Sequence, residues 1–500
     1  MGYYFISIGG SGAKVMESLT HLCVAGLLPN KEKQEKLYVM AIDPDIGNGN
    51  LKRSSAALNN FDRFQDLAVG TDTPLFKTGV ELANPFVWNP TEHDKKLDDV
   101  MSYQAYKGTP IGDLYEALYT RDERDTFLNE GFRGRPSIGA AVMAKKVALE
   151  SGNQWMEVES APWDKFSRLI HQDAKNGQTA KIFLAGSVFG GTGAAGMPTI
   201  ARLLRHSFGN YYDEGKVMIG GALILPYFSF SPSPADQASQ GLFASSENFL
   251  TNTKAALKYY AVKDKIYHSM YFIGDDVLSP IKNFSVGAST QNNDAHIVDF
   301  YGAMAAIDFF CSTMENRKEY SYISRSAENV FGWSDIPDIR MEDQSLVNVK
   351  ERFTQFTRFI FAYTHLVKPV LGDLVSGKES SYKYPWFIDY LSDININDVA
   401  IKNFDEYTEC FARWLQQIET SENNRSIEFI RRNFFEADPA SIDPGQFASC
   451  AYDDNSGVTI HELWYRLAER PCQDRENTKG FGRFLRVLYD CCAKEEGGTK

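Results

Sequence analysis

Gly190, Gly191, Thr192 and Gly193 stand together in the stretch FGGTGAAG, and their chemistry is that of an anion cradle. Glycines lack a Cβ, so the backbone can bend sharply and bring its N–H groups close to a phosphate. Thr192 adds a hydroxyl. A tight turn without a ligand is the plainer reading of one such cluster, but the chain carries a second, Gly9, Gly10, Ser11 and Gly12. Two acids, Asp43 and Asp45, close the apolar run LYVMAID, a position from which carboxylates can face a ligand or its cation. In GFRGRPSIG, Gly134 and the forked donors of Arg133 and Arg135 could meet phosphate oxygens, or serve as ordinary surface arginines at a turn.

The elements around these residues repeat one plan. Ile182 to Ala185 is an apolar run of strand length before the second cluster, and Ile200, Leu203 and Leu204 follow at helical spacing, so a helix is expected to start at Pro198. Tyr3 to Ile8 leads into the first cluster, and Val15, Met16 and Leu19 mark the helix after it. Further strands are expected in VMIGGALILPYF, ended by Pro226, and in HSMYFIGDD, with a helix over residues 248–261 between them. This alternation predicts an α/β fold, a mainly parallel sheet flanked by helices, with ligands beyond the carboxyl ends of the strands. Residues 48–125 read as an inserted region of loops and short helices, with helical pieces at 111–119 and 122–130. Pro136 opens a helix faced by Ile138, Val142 and Val147, and SFSPSPADQAS reads as a flexible connection.

QNNDAHIVDFYGAMAAIDFFCS predicts a long core helix, apolar on most faces, with Asn293 and Asp294 suited to its N-cap. Beyond residue 316 the texture turns helical, in 353–371, 404–418, 426–435, 461–470 and 481–492, with an acidic linker near 436–444. The expected organisation is therefore an α/β domain over 1–290 that carries the glycine clusters, a core connecting helix over 291–315 and a mostly helical C-terminal domain over 316–500.

Composition excludes several functions. With Lys+Arg 52 against Asp+Glu 65, the formal charge of -13 argues against direct nucleic-acid binding, which needs clustered cations. Seven cysteines, Cys23, Cys311, Cys410, Cys450, Cys472, Cys491 and Cys492, form neither a disulfide framework nor a zinc pattern and fit a reducing cytoplasm. The N-terminus is not a signal peptide, and no apolar run is long enough for membrane insertion. There is no Walker-type P-loop, H-E-x-x-H or G-x-S-x-G. A dinucleotide-binding fingerprint would need its third glycine where Val15 stands.

Taken in order, the motifs resemble the tubulin/FtsZ superfamily, and within it divergent bacterial tubulin-like proteins. ISIGGSGAKV is similar to the first nucleotide loop, AIDPD to the second and GFRGRPSIGAAVMAKK to the third, while FGGTGAAGMP resembles the glycine signature GGGTGTG. LILPYFSF and NNDAHIVDFYGAMAAIDFF agree with the following strand and the core helix, so the resemblance covers roughly residues 1–315. It implies a purine nucleotide, GTP or GDP, with Mg²⁺ accompanying GTP and no metal held directly by protein side chains. Gly9, Gly10, Ser11 and Gly12 would face the α- and β-phosphates, and Gly190, Gly191, Thr192 and Gly193 would cradle the phosphate chain. Asp43 and Asp45 would lie toward Mg²⁺ or the γ-phosphate, with Gly134 and Arg135 near the γ-phosphate. Asn293 and Asp294 would lie near the base.

The resemblance also implies self-association or a partner protein, and slow GTP hydrolysis completed by an acidic loop beyond the core helix. Asp335, Asp338, Glu342 and Asp343 are the acids available there, without the family's Asn-x-Asp pattern. Ala13 and Lys14 stand where the family carries a guanine-contacting Asn, Phe189 replaces the first signature glycine, and Ala194 and Ala195 replace its last Thr-Gly pair. Guanine and adenine both remain open, as does a nucleotide-binding scaffold that neither hydrolyses nor polymerises.

Overall fold

A computed structural model describes residues 2–28, 36–68, 73–91, 95–128, 131–132, 134–151, 162–229, 246, 249–262, 266–275, 278–280, 291–312, 330–341, 345–421, 426–428, 459–473 and 480–493. The elements that build the centre are β1 (Gly2–Ile8), α1 (Gly9–Val24), β2 (Lys36–Ile42), α2 (Gly49–Phe64), β3 (Gly79–Trp88), α3 (Pro136–Ser151), α4 (Trp163–Lys175), β4 (Ala180–Ser187), α5 (Gly191–Ser207), β5 (Val217–Ile224), α6 (Phe249–Val262), β6 (Ser269–Ile273) and the core helix α7 (Ile297–Cys311). The C-terminal part adds α8 (Val349–Phe361), α9 (Val399–Thr420) and α10 (Phe481–Cys491).

The six strands form one all-parallel sheet in the order β3-β2-β1-β4-β5-β6. The order reverses between β1 and β4, which leaves a crevice at their carboxyl ends. Alternate residues of the strands feed two cores, as the two-residue period requires. Tyr3, Phe5, Val39, Phe183 and Ala185 belong to the core formed with α1, α2, α7 and the C-terminal helices. Tyr4, Ile6, Met40, Ile182 and Leu184 belong to the other, formed with α3, α4 and α5. The molecule is thus an α/β fold with both sheet faces covered, as the strand pattern predicts.

The core helix lies under the centre of the sheet. A Cβ on Gly220 of β5 would meet Phe309 Cδ2 at 2.5 Å, and a Cβ on Gly302 would meet Val15 Cγ2 at 2.7 Å, so both contacts require glycine. Lys181, buried in β4, donates to Phe310 O (2.7 Å) and Ser312 O (2.8 Å), placing a cation on the carbonyl end of α7. The first core is continuous from Tyr3 to Cys492, so residues beyond 316 pack on the same sheet face as α1 and α7.

Several elements differ from expectation. The region 48–125 supplies α2 and the edge strand β3. Asn, Ser and Arg residues on the buried face of α2 disguise its periodicity, and Pro85 disguises β3; an edge strand tolerates proline, here beside a register shift between Val39 and Ala41. Residues 426–428 form a short parallel strand with Val330–Gly332 in place of a helix start. The flexible connection after Ser229, except Ser246, and the acidic linker at 436–444 lie outside the described residues.

Candidate functional site

Both glycine clusters sit at the carboxyl ends of neighbouring central strands, and both are helix rather than loop, except for the extended Gly190. α1 begins at Gly9 and α5 at Gly191, earlier than the patterns at Val15 and Pro198 suggest. Tertiary packing overrides the poor helix propensity of glycine here. A Cβ on Gly12 would lie 2.4 Å from Ala185 O, and one on Gly193 would lie 2.5 Å from Ser187 O, so only glycine lets these turns rest against the strand ends. Pro198 consequently falls inside α5 instead of opening it.

The two helix starts touch each other. Gly9 adopts φ +70, and a Cβ there would stand 3.1 Å from Thr192 Cβ. The third glycine loop joins them: a Cβ on Gly191 would lie 3.1 Å from the backbone nitrogen of Gly134. From the other side, a Cβ on Gly10 would lie 3.3 Å from Asn50 Nδ2 and 3.5 Å from Asn48 Nδ2, at the start of α2. Asn48 Nδ2 donates to Gln291 Oε1 (2.7 Å), and Asn50 Oδ1 accepts from Asn293 N (2.8 Å). Five segments far apart in sequence therefore meet at one rim of the sheet.

Chemically, this rim suits an anion. Neither α1 nor α5 has a side-chain N-cap, so the first-turn N–H groups of two helices more than three turns long are left for a ligand or water. Gly10, Ser11, Gly190 and Thr192 are partly exposed there, above buried neighbours. Asp43 is buried beside them, accepting from Asp45 N through Oδ1 (3.0 Å), while its Oδ2 is buried with no partner among the described residues. Burial, with a smaller contribution from the Asp45 charge, pushes the Asp43 carboxyl up to about 8 against the opposing Asp45 N–H. Asp45 is buried too and accepts from Gly47 N through Oδ1 (3.0 Å). Among the described residues no three His, Cys, Asp or Glu side chains group as a metal site. A cation here would need oxygens from its ligand, with Asp43 Oδ2 the carboxylate oxygen that lacks a partner among the described residues.

Other expected residues stand apart. Arg135 is exposed, its Nη1 3.9 Å from Glu123 Oε1, and Arg133 lies outside the described residues. Asn293 and Asp294 are not the N-cap of α7: that place belongs to His296, whose Nδ1 accepts from Val298 N (3.1 Å) while Asp299 Oδ2 accepts from His296 N (2.8 Å). Asn293 faces α2 instead, and Asp294 is exposed, accepting from Gln417 Nε2 (2.9 Å). Asp335 Oδ2 accepts from Gly332 N (2.9 Å) in its own turn and Asp338 Oδ1 from Val349 N (3.1 Å) at the start of α8, so both acids cap backbone N–H groups; Glu342 and Asp343 lie outside the described residues.

Behind the rim lies a buried charged network that sequence reading missed. Lys14 Nζ donates to Tyr227 OH (2.9 Å) and sits 3.1 Å from Asp299 Oδ2, and Tyr227 OH donates to Asp299 Oδ1 (3.2 Å). Arg53 Nε reaches both oxygens of buried Glu17 (3.0 and 2.9 Å), while its Nη1 holds Asn292 Oδ1 (2.6 Å) and Asn293 O (2.7 Å). Burial lowers the Lys14 ammonium and raises the Glu17 carboxyl, and each partner opposes the shift. The one sequence signal for this network is the polar set Lys14, Glu17, Ser18 and His21 at helical spacing in the otherwise apolar sequence of α1.

No known protein family matches this chain, and no curated protein is significantly similar to it. Among the described residues no helix is long and apolar enough to cross a membrane.

Proposed function

We propose that this chain is a tubulin-like protein that binds a purine nucleotide, GTP or GDP, at the rim between β1 and β4, with Mg²⁺ accompanying GTP. The observation that carries the reading is the contact between two glycine-built helix starts, Gly9 against Thr192, with Gly134 and Asn50 closing in from either side. Uncapped helix N-termini stabilise phosphate through N–H groups and the helix dipole. The order of the four loops supplies the resemblance to the tubulin/FtsZ superfamily. Asp43 would meet a magnesium ion held on phosphate oxygens, whose charge offsets the cost of ionising a buried carboxyl. The described cysteines Cys23, Cys311, Cys410, Cys491 and Cys492 are buried thiols, which suits a reducing cytoplasm.

In one reading the protein hydrolyses GTP slowly across a contact between copies; in the other it is a scaffold that holds nucleotide and engages partners without turnover. The engagement of Asp335 and Asp338 in local caps favours the second. The experiment is to denature purified protein, identify released nucleotide by chromatography, and measure phosphate release across protein concentrations. Bound GDP or GTP is expected from the wild type and its loss from the Thr192→Ala/Gly193→Val double variant. Release of NAD(P), or equal retention by the double variant, refutes the assignment. Turnover rising faster than linearly with concentration would select the self-associating GTPase.

A further inference from the structure

The C-terminal helix α9 reaches the same rim from behind. Along one of its faces, Asn403, Tyr407, Trp414 and Gln417 follow the helical repeat, and each bonds an element of the site's frame. Asn403 Oδ1 accepts from Arg63 Nη1 of α2 (3.3 Å). The Tyr407 hydroxyl pairs with His21 Nδ1 of α1 (3.0 Å), and Trp414 Nε1 donates to Ser18 Oγ of α1 (3.0 Å). Gln417 Oε1 accepts from Ala295 N (3.1 Å), and its Nε2 donates to Asp294 Oδ1 (2.9 Å).

The last pair matters most. Residues 291–296 form no regular element, so their backbone path is set by what holds them. On one side α2 holds them, through Asn48 on Gln291, Asn50 on Asn293 and Arg53 on Asn292 and Asn293. On the other side the Gln417 amide holds them, engaging both its donor and its acceptor with two successive residues. Trp414 ties the same helix to α1, whose first turn carries Gly10 and Ser11 at the rim. Moving α9 would shift both walls together.

We infer that α9 is a positioning element of the nucleotide site, with Gln417 holding residues 294–295 and Trp414 holding α1, so that nucleotide binding and the docking of α9 are coupled. The inference rests on the nucleotide reading above and gives the C-terminal part a role in it. Coupling of this kind is reciprocal: if docking of α9 strengthens binding, the nucleotide must stabilise the docked helix by the same factor.

The test compares wild type, Gln417→Ala and Trp414→Phe in full-length protein. Gln417 is half-buried, and Phe retains most of the ring of Trp414, so both variants are expected to fold. Binding of a fluorescent GTP analogue with Mg²⁺ is titrated, and hydrogen exchange of the peptides covering Val399–Thr420 is followed with and without GTP. Expected are about 5- to 10-fold weaker binding in each variant, slower exchange of α9 on adding GTP to the wild type, and loss of that ligand-dependent protection in Gln417→Ala. A purely structural role would alter exchange equally with and without GTP. Variants that bind like the wild type, or wild-type α9 protection indifferent to GTP, would overturn the coupling while leaving the nucleotide site standing. A wild type that binds no nucleotide overturns both.

Discussion

The two helices that begin at the rim, α1 and α5, share a plan and differ in what lies behind it. Each starts on glycines, lacks a side-chain cap and rests its first turn against a strand end. Behind α5 the buried face is Gly193, Ala195, Gly196, Met197, Ile200, Ala201 and Leu204, an apolar packing surface. Behind α1 the buried face includes Lys14, Glu17, Ser18, Thr20 and His21. Of these, Lys14, Glu17, Ser18 and His21 bond α2, the core helix and α9, while Thr20 bonds Met16 O within α1. The difference assigns different work: α5 is a fixed wall, whereas α1 joins the rim to the rest of the molecule. Buried polar contacts are costly to break singly, so they hold α1 in one relation to several elements at once.

Breaking that contrast at its strongest point means removing Asp299. Asp299→Ala leaves Lys14 buried without its counter-charge and should cost about 3–5 kcal/mol of stability, measured by chemical denaturation. The Lys14→Met/Asp299→Leu double variant should recover much of that loss, since apolar replacements of a buried pair are often tolerated. On the α5 side the matching break is steric. In Gly193→Val the new Cβ would stand 2.5 and 2.6 Å from Ser187 O and N, backbone atoms that cannot swing away. An overpacking cost of about 1–3 kcal/mol is expected, with no change in the pH dependence of stability.

The sheet was legible because its strands are buried on both faces and read as unbroken apolar runs, and because glycine after such a run marks a close approach. Less was legible where tertiary contacts decide the outcome. Nothing local says that residues 191–196 are helical, since the reason is the proximity of Ser187 and Ile8. The rim itself could be assembled only in part: Asp43 and the glycines announce themselves, but Asn48, Asn50 and Gln291 look like ordinary turn residues until the crossover brings them together. Asp294 misled for the converse reason, being a plausible cap whose partner, Gln417, lies 123 residues away.

A pH-dependent effect separates the rim acid from the structural charges. The Asp43 carboxyl in the folded protein is raised from 3.8 to about 8, so the stability linked to its neutral form is full below 3.8, where the unfolded chain is protonated too, and is lost as pH rises through about 8. Asp43→Asn should therefore flatten the decline of melting temperature across that window, and the curves should diverge most at its alkaline end. Added Mg²⁺ and GTP should raise the wild-type melting temperature more at the alkaline end, where Asp43 is ready to ionise. Parallel wild-type and variant curves would show that Asp43 does not titrate there.

The least change in stability, and the sharpest use of the comparison, is expected from Gly10→Ala. Gly10 is partly exposed in the first turn of α1 and is not among the glycines with positive φ. Alanine there gains up to about 1 kcal/mol in helix propensity. Against that gain, its Cβ comes within 3.3 Å of Asn50 Nδ2, the end of a side chain that already holds Asn293. The two effects nearly offset, and the melting temperature without nucleotide should move little. Yet the methyl group stands between the first turn and anything laid across it, and it presses on the residue that fixes the opposite wall. Nucleotide retention should fall, although Gly193→Val disturbs the fold far more. If retention instead tracks stability alone across Gly10→Ala and Gly193→Val, the rim is a packing device and the contact between the two helix starts serves the fold only.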